Sequence, residues 1–381
     1  MAATAQQPAR TKLWLDCDPG RDDLVAILFA LHLAELDLVG LSSVHGNASL
    51  EDMTYNCVRI LCSFGSPEQV ARIPVHKGAA APLVQPLREA ATVHGAGGLG
   101  GVEGLLDMSD PTVAAKQASA LQGNAVMGIA DACRALPVGE KLTLVATGSF
   151  TNIALFISVF PDLLLEKVDR IVVMGGAEGR GNKSPVAESN VLCDAHAAAV
   201  VFNCPLPVVL CPLNLTHQAL FTSAVHHHLL QPPSTSLPDS PPLTPNEGLP
   251  HAATTLRHCL STNLTFFAEA YKRKYGMEGP PIHDALTVAY LARPELFTGN
   301  RYHVDVELTG EHSFGATVVD LWDYKAAQLD ASPDNWSRTG KNVFILETVD
   351  VARFWSEVFL ETVKTADAVV PINITKGKTV A

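Results

Sequence analysis

The chain is short of basic residues. Against 39 Asp and Glu it carries 27 Lys and Arg, a formal net charge of −12. A general nucleic-acid binder needs a surplus of cations to displace counterions from phosphates, and so does an electrostatic partner of anionic lipid. The composition argues against both. The chain also lacks any C-x-x-C pair. Its eight cysteines (Cys17, Cys57, Cys62, Cys133, Cys193, Cys204, Cys211 and Cys259) are scattered, mostly within apolar runs where a thiol acts as a small hydrophobe. No disulfide framework is expected, and a reducing, cytoplasmic location is. No window reaches the length of a membrane span; residues 24–38, for example, are interrupted by His32, Glu35 and Asp37. The first twelve residues have no apolar stretch of the kind a secretory signal requires. Charged residues are only 17% of the 381, and hydrophobic ones 47%, which excludes a disordered chain and supplies a large core without staples.

What the sequence does have is a rhythm of short β-branched runs alternating with helical stretches. Strands are expected at residues 13–15, 38–44, 142–146, 171–174 and 208–211, with helices at 22–35, 51–64, from 151, and 194–202. Strands that are nearly all apolar belong to a parallel sheet covered on both faces, so an open, mainly parallel α/β sheet flanked by helices is expected. Residues 80–110, rich in Gly and Pro, read as a long loop. Residues 231–250, rich in Pro and Ser, read as an insertion. Strands at 302–308, 316–321 and 343–346 and a helix from Val351 close the chain. One domain over residues 12–366 is expected, with tails at 1–11 and 367–381.

The strongest chemical signal is Asp16-Cys17-Asp18-Pro19-Gly20-Arg21-Asp22-Asp23, four carboxylates in eight residues directly after an apolar strand. Ligands of open α/β sheets sit beyond the carboxyl ends of the strands. Carboxylates crowded there repel one another and take up protons unless a cation is present, and an all-oxygen site suits Ca²⁺ or Mg²⁺. Asp22 and Asp23 alone are what any helix N-terminus favours; the other two acids, the strand and the turn point to a metal. His283-Asp284 opens a later helix, where an Asp is commonly just a cap. The loops at Gly46-Asn47 and Thr147-Gly148 add oxygen-bearing groups on the same edge, and Asn182, Glu188 and Asn190 add amides and a carboxylate. That set suits a polyol such as ribose. The run His226-His227-His228 reads as a solvated helix face, because consecutive side chains diverge.

The acidic segment resembles the signature of the nucleoside hydrolases, the inosine-uridine-preferring ribohydrolase family. The resemblance continues in order through Val44-His45-Gly46-Asn47, His94-Gly95, Ala146-Thr147-Gly148, Thr151-Asn152-Ile153-Ala154, Met174-Gly175-Gly176, Pro185-Val186-Ala187-Glu188-Ser189-Asn190, Leu215-Thr216-His217 and Pro281-Ile282-His283-Asp284. It covers most of residues 12–293. It implies a Rossmann-like single domain and a calcium-dependent hydrolysis of the ribonucleoside N-glycosidic bond to ribose and free base, in nucleoside salvage or catabolism. It also implies roles. Asp18, Asp23, Asp284 and the carbonyl of Thr147 would hold Ca²⁺. Asp18 would be the general base and His283 the acid over the leaving base. Asp16 would orient the cluster, and Asp22 would bind the 2′-hydroxyl. Asn190 would take the 3′-hydroxyl, with Asn182 and Glu188 on the 5′-hydroxyl. Asn47 and Met174 would line the ribose pocket. His94 and one of Tyr271 and Tyr275 would face the base.

Two positions depart from the family pattern: Asn214 stands where relatives commonly have Asp, and Arg21 where an apolar residue is common. The resemblance further implies a homodimer or homotetramer acting on a small-molecule ribonucleoside. The alternatives are a catalytically silent nucleoside-binding member of the same fold and a Mg²⁺-dependent phosphotransferase. The last would require a Lys and a Ser/Thr phosphate partner on neighbouring loops, and no clear pair is present.

Overall fold

Apolar segments that end in polar loops become the strands of one sheet. A computed structural model describes residues 10–87, 94–231, 252–325, 328–330 and 332–374. Among them, β1 (Thr11–Cys17), β2 (Leu36–Ser43), β3 (Val75–Lys77), β4 (Leu142–Ala146), β5 (Val168–Met174), β6 (Val208–Cys211), β7 (Phe297–Tyr302) and β10 (Val343–Val349) form an eight-stranded sheet in the order β3-β2-β1-β4-β5-β6-β10-β7. All pairings are parallel except β7 with β10. A two-stranded ribbon, β8 (Val304–Val306) with β9 (Thr317–Val319), lies apart. The strand expected at 302–308 is therefore two: the chain passes from one sheet to the other at His303, whose Nδ1 meets the Gly340 carbonyl at 3.0 Å.

Both faces of the sheet are covered, as continuous apolar strands require. One core gathers Leu13, Leu15 and the helices Asp23–His32, Leu50–Phe64, Thr255–Tyr275 and His283–Ala292. The other gathers Trp14, Leu144 and Ile171 with the helices Ala125–Ala135, Thr151–Val159 and Ala195–Phe202. The alternation along β1, with Trp14 on one face and Leu13 and Leu15 on the other, is the period-two signature of a strand. Strand order reverses at β1, which has β2 on one side and β4 on the other. Such a reversal leaves a crevice at the carboxyl ends of the strands. The acidic loop after β1 and the Thr147 loop after β4 open into that crevice.

Packing continues past residue 366, into the segment expected as a tail. Val370 and Ile372 are buried, and Asp367 pairs with Arg257. The insertion expected at 231–250 lies outside the described residues except for Gln231. The His run is not uniformly solvated. Helix Ser223–Leu230 packs against helix Thr255–Tyr275, burying His226, whose Nε2 meets Ser261 Oγ at 2.8 Å.

Candidate active site

Three loops converge at the switch point. Asp16 is the penultimate residue of β1 and is fully buried; its Oδ1 accepts hydrogen bonds from Ser42 Oγ and from Asn152 Nδ2 (2.8 Å). Burial nevertheless pushes its pKa up to about 7. Asp18 Oδ2 accepts the Asn47 N–H at 2.8 Å, while the Asn47 side-chain amide donates to the Asp18 carbonyl at 2.9 Å. Gly46 and Gly148 pass so close to this carboxylate that a β-carbon would lie 2.0 Å from Asp18 Oδ2 in the first case and 2.9 Å from Oδ1 in the second. The glycines in the 46–47 and 147–148 loops thus make room for Asp18.

Asp23 opens the helix Asp23–His32, with Oδ2 accepting the Gly20 N–H (2.9 Å) and Oδ1 the Thr147 hydroxyl (2.8 Å). That helix packs against helix His283–Ala292, whose first turn holds Asp284. Two helix N-termini therefore bring Asp22, Asp23 and Asp284 together, each buried, with one oxygen apiece lying within 4.8 Å of the others. The three that come closest include Asp22 where the family pattern named Asp18. Asp18 sits beside them: it is pushed well above the usual carboxylate range by burial and then by Asp23. Burial with Asp22, Asp23 and Asp18 does the same to Asp284, and burial with Asp23 raises Asp22 to about 7. Asp16 Oδ2, Asp18 Oδ1 and Asp22 Oδ1 are buried with no hydrogen-bond donor. Unpartnered buried carboxylate oxygens are costly. A hard cation, which seeks oxygen ligands, removes that cost, so the residues present fit a divalent ion.

Above this floor lies a pocket that opens to solvent. Of the residues expected from sequence, Asp22, Asn47, His94, Thr147, Met174, Asn182, Glu188, Asn190, Tyr271, Tyr275, His283 and Asp284 line it; Asp16, Asp18 and Asp23 lie beneath. One wall is the short helix Ser189–Cys193, capped by Glu188: Oε1 accepts the Asn190 N–H, and Oε2 those of Val191 and Gly176. Burial still raises Glu188 to about 7. Asn190 Nδ2 donates to the Thr147 carbonyl (2.8 Å) and the Met174 carbonyl (3.1 Å), and Asn182 Oδ1 accepts the Ser189 N–H.

The opposite wall is helix Thr255–Tyr275. Tyr271 is buried, and its hydroxyl meets His283 Nε2 at 2.8 Å, while His283 Nδ1 meets Thr216 Oγ1 at 2.7 Å. Burial, then His217 and His94, push His283 well below the usual histidine range. It therefore stands at neutral pH as an uncharged ring, and not as the ready imidazolium that a histidine near neutrality suggests. Tyr275 is more exposed and reaches the Asn182 carbonyl at 3.4 Å. The His94 ring packs 5.6 Å from Phe267, and burial and then Arg21 lower its pKa to about 3.

Sequence reasoning missed Phe267, Lys183 and Lys274 on the cavity wall. Phe267 stands one helical turn before Tyr271, so the spacing was its signal. Nothing in the order of residues announced the two lysines. Asn214 exchanges hydrogen bonds with the Glu178 backbone, outside the cavity.

Comparison with known proteins gives this site a family. The model of the inosine-uridine preferring nucleoside hydrolases matches residues 13–356. The pyrimidine-specific ribonucleoside hydrolase RihA of Escherichia coli O8 (strain IAI1) is 36% identical over 309 residues, 81% of this chain and 88% of that protein. Among solved structures, a purine-preferring ribonucleoside hydrolase from Gardnerella vaginalis superposes with a TM-score of 0.74 at 27% identity, covering 94% of this chain and all of that one. A plant nucleoside hydrolase superposes with a TM-score of 0.72 at 26% identity, covering 93% and 98%. The chain belongs to the inosine-uridine preferring nucleoside hydrolase family and is a hydrolase that splits ribonucleosides into ribose and a free base.

Proposed function

We propose that this hydrolase is calcium-dependent, with Asp18, Asp23, Asp284 and the carbonyl of Thr147 as the protein ligands. The observation that carries this reading is the set of buried carboxylates on the cavity floor, with the unpartnered oxygens of Asp18 and Asp22 among them. Three carboxylates, a carbonyl, two ribose hydroxyls and a water make a ligand number that Ca²⁺ accepts and octahedral Mg²⁺ does not. Bound there, the ion lowers the pKa of a water and screens the carboxylates from one another.

The rest is the work of the side chains. Cleavage of the C1′–N bond builds positive charge on the ribose ring. Carboxylates and amide oxygens beneath the ring stabilise that charge more than the neutral substrate, which is the condition for rate enhancement. Asp18, with Oδ2 fixed by the Asn47 N–H and Oδ1 free, takes the proton of the attacking water. Asp22 holds the 2′-hydroxyl, Asn190 the 3′-hydroxyl, and Asn182 with Glu188 the 5′-hydroxyl. Asn47 and Met174 frame the sugar, and Asp16 holds the floor in register.

The departing base needs a proton. His283, uncharged at rest, would first take up a proton from solvent and then pass it from the ring to the base, held in place by Thr216 on Nδ1 and the Tyr271 hydroxyl on Nε2. His94, Phe267 and Tyr275 complete the base side. The relatives differ in base preference, one pyrimidine-specific and one purine-preferring, so both base classes belong in the assay. We also propose a cytoplasmic homodimer or homotetramer; the burial of the cysteines as small apolar side chains supports the reducing compartment, and light scattering tests the assembly. No helix among the described residues is long and apolar enough to cross a membrane. Calcium titration of the stripped protein, followed by heat release and by ribose production, tests the metal. Tight binding of Ca²⁺ over Mg²⁺ with recovery of activity is expected, and full activity with Mg²⁺ alone would contradict the assignment.

A further inference from the structure

We infer that Arg21 is a positioning residue that clamps the base-side wall of the cavity onto the acidic loop, giving the nucleoside site its shape before substrate arrives. This rests on the reading of the cavity as the nucleoside site.

Arg21 lies between the turn Pro19-Gly20 and the pair Asp22-Asp23, and it is buried. A buried guanidinium is expensive unless its donors are satisfied, and an apolar residue would fill the space more cheaply. No ion pair to Arg21 occurs among the described residues. Nε has no hydrogen-bond partner, and the two terminal nitrogens reach backbone and amide oxygens on two other elements. Nη1 donates to the Asn263 carbonyl at 3.2 Å and to its Oδ1 at 3.5 Å; Nη2 donates to the Gly100 carbonyl. The guanidinium carbon Cζ lies over the Phe266 ring, 3.8 Å from its centroid. The grip is reciprocal: Asn263 Nδ2 donates to the Arg21 carbonyl at 2.7 Å, and the Arg21 N–H reaches His94 Nδ1 at 3.4 Å. One planar fork thus ties together the acidic loop, helix Thr255–Tyr275 and the loop that carries His94. Only Arg offers donors in that fixed geometry.

The register of the helix explains the consequence. Asn263, Phe267, Tyr271 and Tyr275 follow one another at four-residue steps, so they share one face. Holding Asn263 sets the rotation of that face, and with it Phe267 against His94 and the Tyr271 hydroxyl on His283. The clamp acts on the walls that meet the base, so its loss is read mainly in substrate affinity.

The test uses the full-length protein with Arg21→Met, Arg21→Lys, Asn263→Ala and the double variant Arg21→Met with Asn263→Ala. In Arg21→Met, KM for the best ribonucleoside is expected to rise about tenfold while kcat falls less than threefold. Asn263→Ala should do the same. The double variant should stay within twofold of Arg21→Met, because the two residues act as one unit. Arg21→Lys keeps the charge but not the fork, and KM should stay raised. Hydrogen exchange supplies a readout independent of activity: amides of helix Thr255–Tyr275 and of residues 94–101 should exchange at least tenfold faster in all four variants. A KM within twofold of wild type in folded Arg21→Met, independent effects that multiply in the double variant, or restoration by Lys would overturn the clamp. Should Arg21→Met not fold, Asn263→Ala carries the same comparison. If wild type released no ribose from any ribonucleoside, the nucleoside reading would fall, and unchanged exchange in the wall helix would separately remove the clamp.

Discussion

Replacing Asp18 by Asn separates chemistry from structure. The amide is the same size as the carboxyl. Its oxygen can keep the hydrogen bond from the Asn47 N–H, and its NH₂ takes the place of the carboxylate oxygen that has no partner. What disappears is the ability to take a proton from water, together with one negative charge beside the metal, so calcium retention is measured alongside. Loss of a general base costs about 10²- to 10⁴-fold in rate, or about 3–5 kcal/mol of transition-state stabilisation. The fold should not suffer, because burial and the neighbouring Asp23 already disfavour a charge at this position. Relieving that repulsion should raise the melting temperature of the metal-stripped protein. The assay is ribose release under saturating substrate, beside thermal unfolding with and without chelator. Activity within tenfold of wild type would refute the assignment of Asp18 as the base. A variant that no longer folds would refute the claim that the site accommodates a neutral group there.

Tyr271→Phe removes the partner of His283 Nε2 and leaves a buried nitrogen unsatisfied, a loss of about 1–3 kcal/mol. kcat/KM for uridine should fall by about 5- to 150-fold, and that for p-nitrophenyl riboside, whose leaving group needs no proton, much less; equal losses would count against His283 as the acid. Glu188→Gln sets an NH₂ against the backbone N–H donors that now meet the carboxylate, so it should destabilise the protein by about 1–3 kcal/mol, read by denaturant unfolding. Burial holds Glu188 at about 7, above its ordinary 4.5. Its contribution to stability is therefore fully present below pH 4.5 and lost as pH rises through 7, about 3 kcal/mol in all. Stripped wild-type protein should lose stability across that window, and Glu188→Gln should show a shallower loss. All eight cysteines are buried, so a thiol reagent should titrate almost none in the native protein and many more after denaturation; rapid native labelling would contradict the packing.

The parts of the fold that could be read from residue order are those governed by local rules. Residues 142–146 and 208–211 are strands to the residue, because both sheet faces are covered and each apolar run ends at a polar loop. The acidic loop was legible because four carboxylates after a strand have few other uses. Long-range partnership was not. Asn152 gives no local sign that it will reach Asp16, nor Asn263 that it will hold Arg21 from 242 positions away. The break at His303 escaped notice because an alternating run looks the same whether one sheet or two receive it. His226 looked solvated among three histidines, but a neighbouring helix supplies Ser261 and covers it. His283 shows the limit most sharply: its identity suggested an acid near neutrality, while its burial and the other histidines, visible only in three dimensions, hold it uncharged.

The most direct measurement is release of free ribose from uridine, inosine, adenosine, guanosine and cytidine, by the protein as purified, after exhaustive chelation, and after calcium is restored. Ribose from at least one of them, abolished by chelation and recovered with Ca²⁺, is the predicted result, and the same series ranks the bases. Undiminished release from fully stripped, folded protein would contradict calcium dependence. No ribose from any of the five with calcium present would contradict the hydrolase.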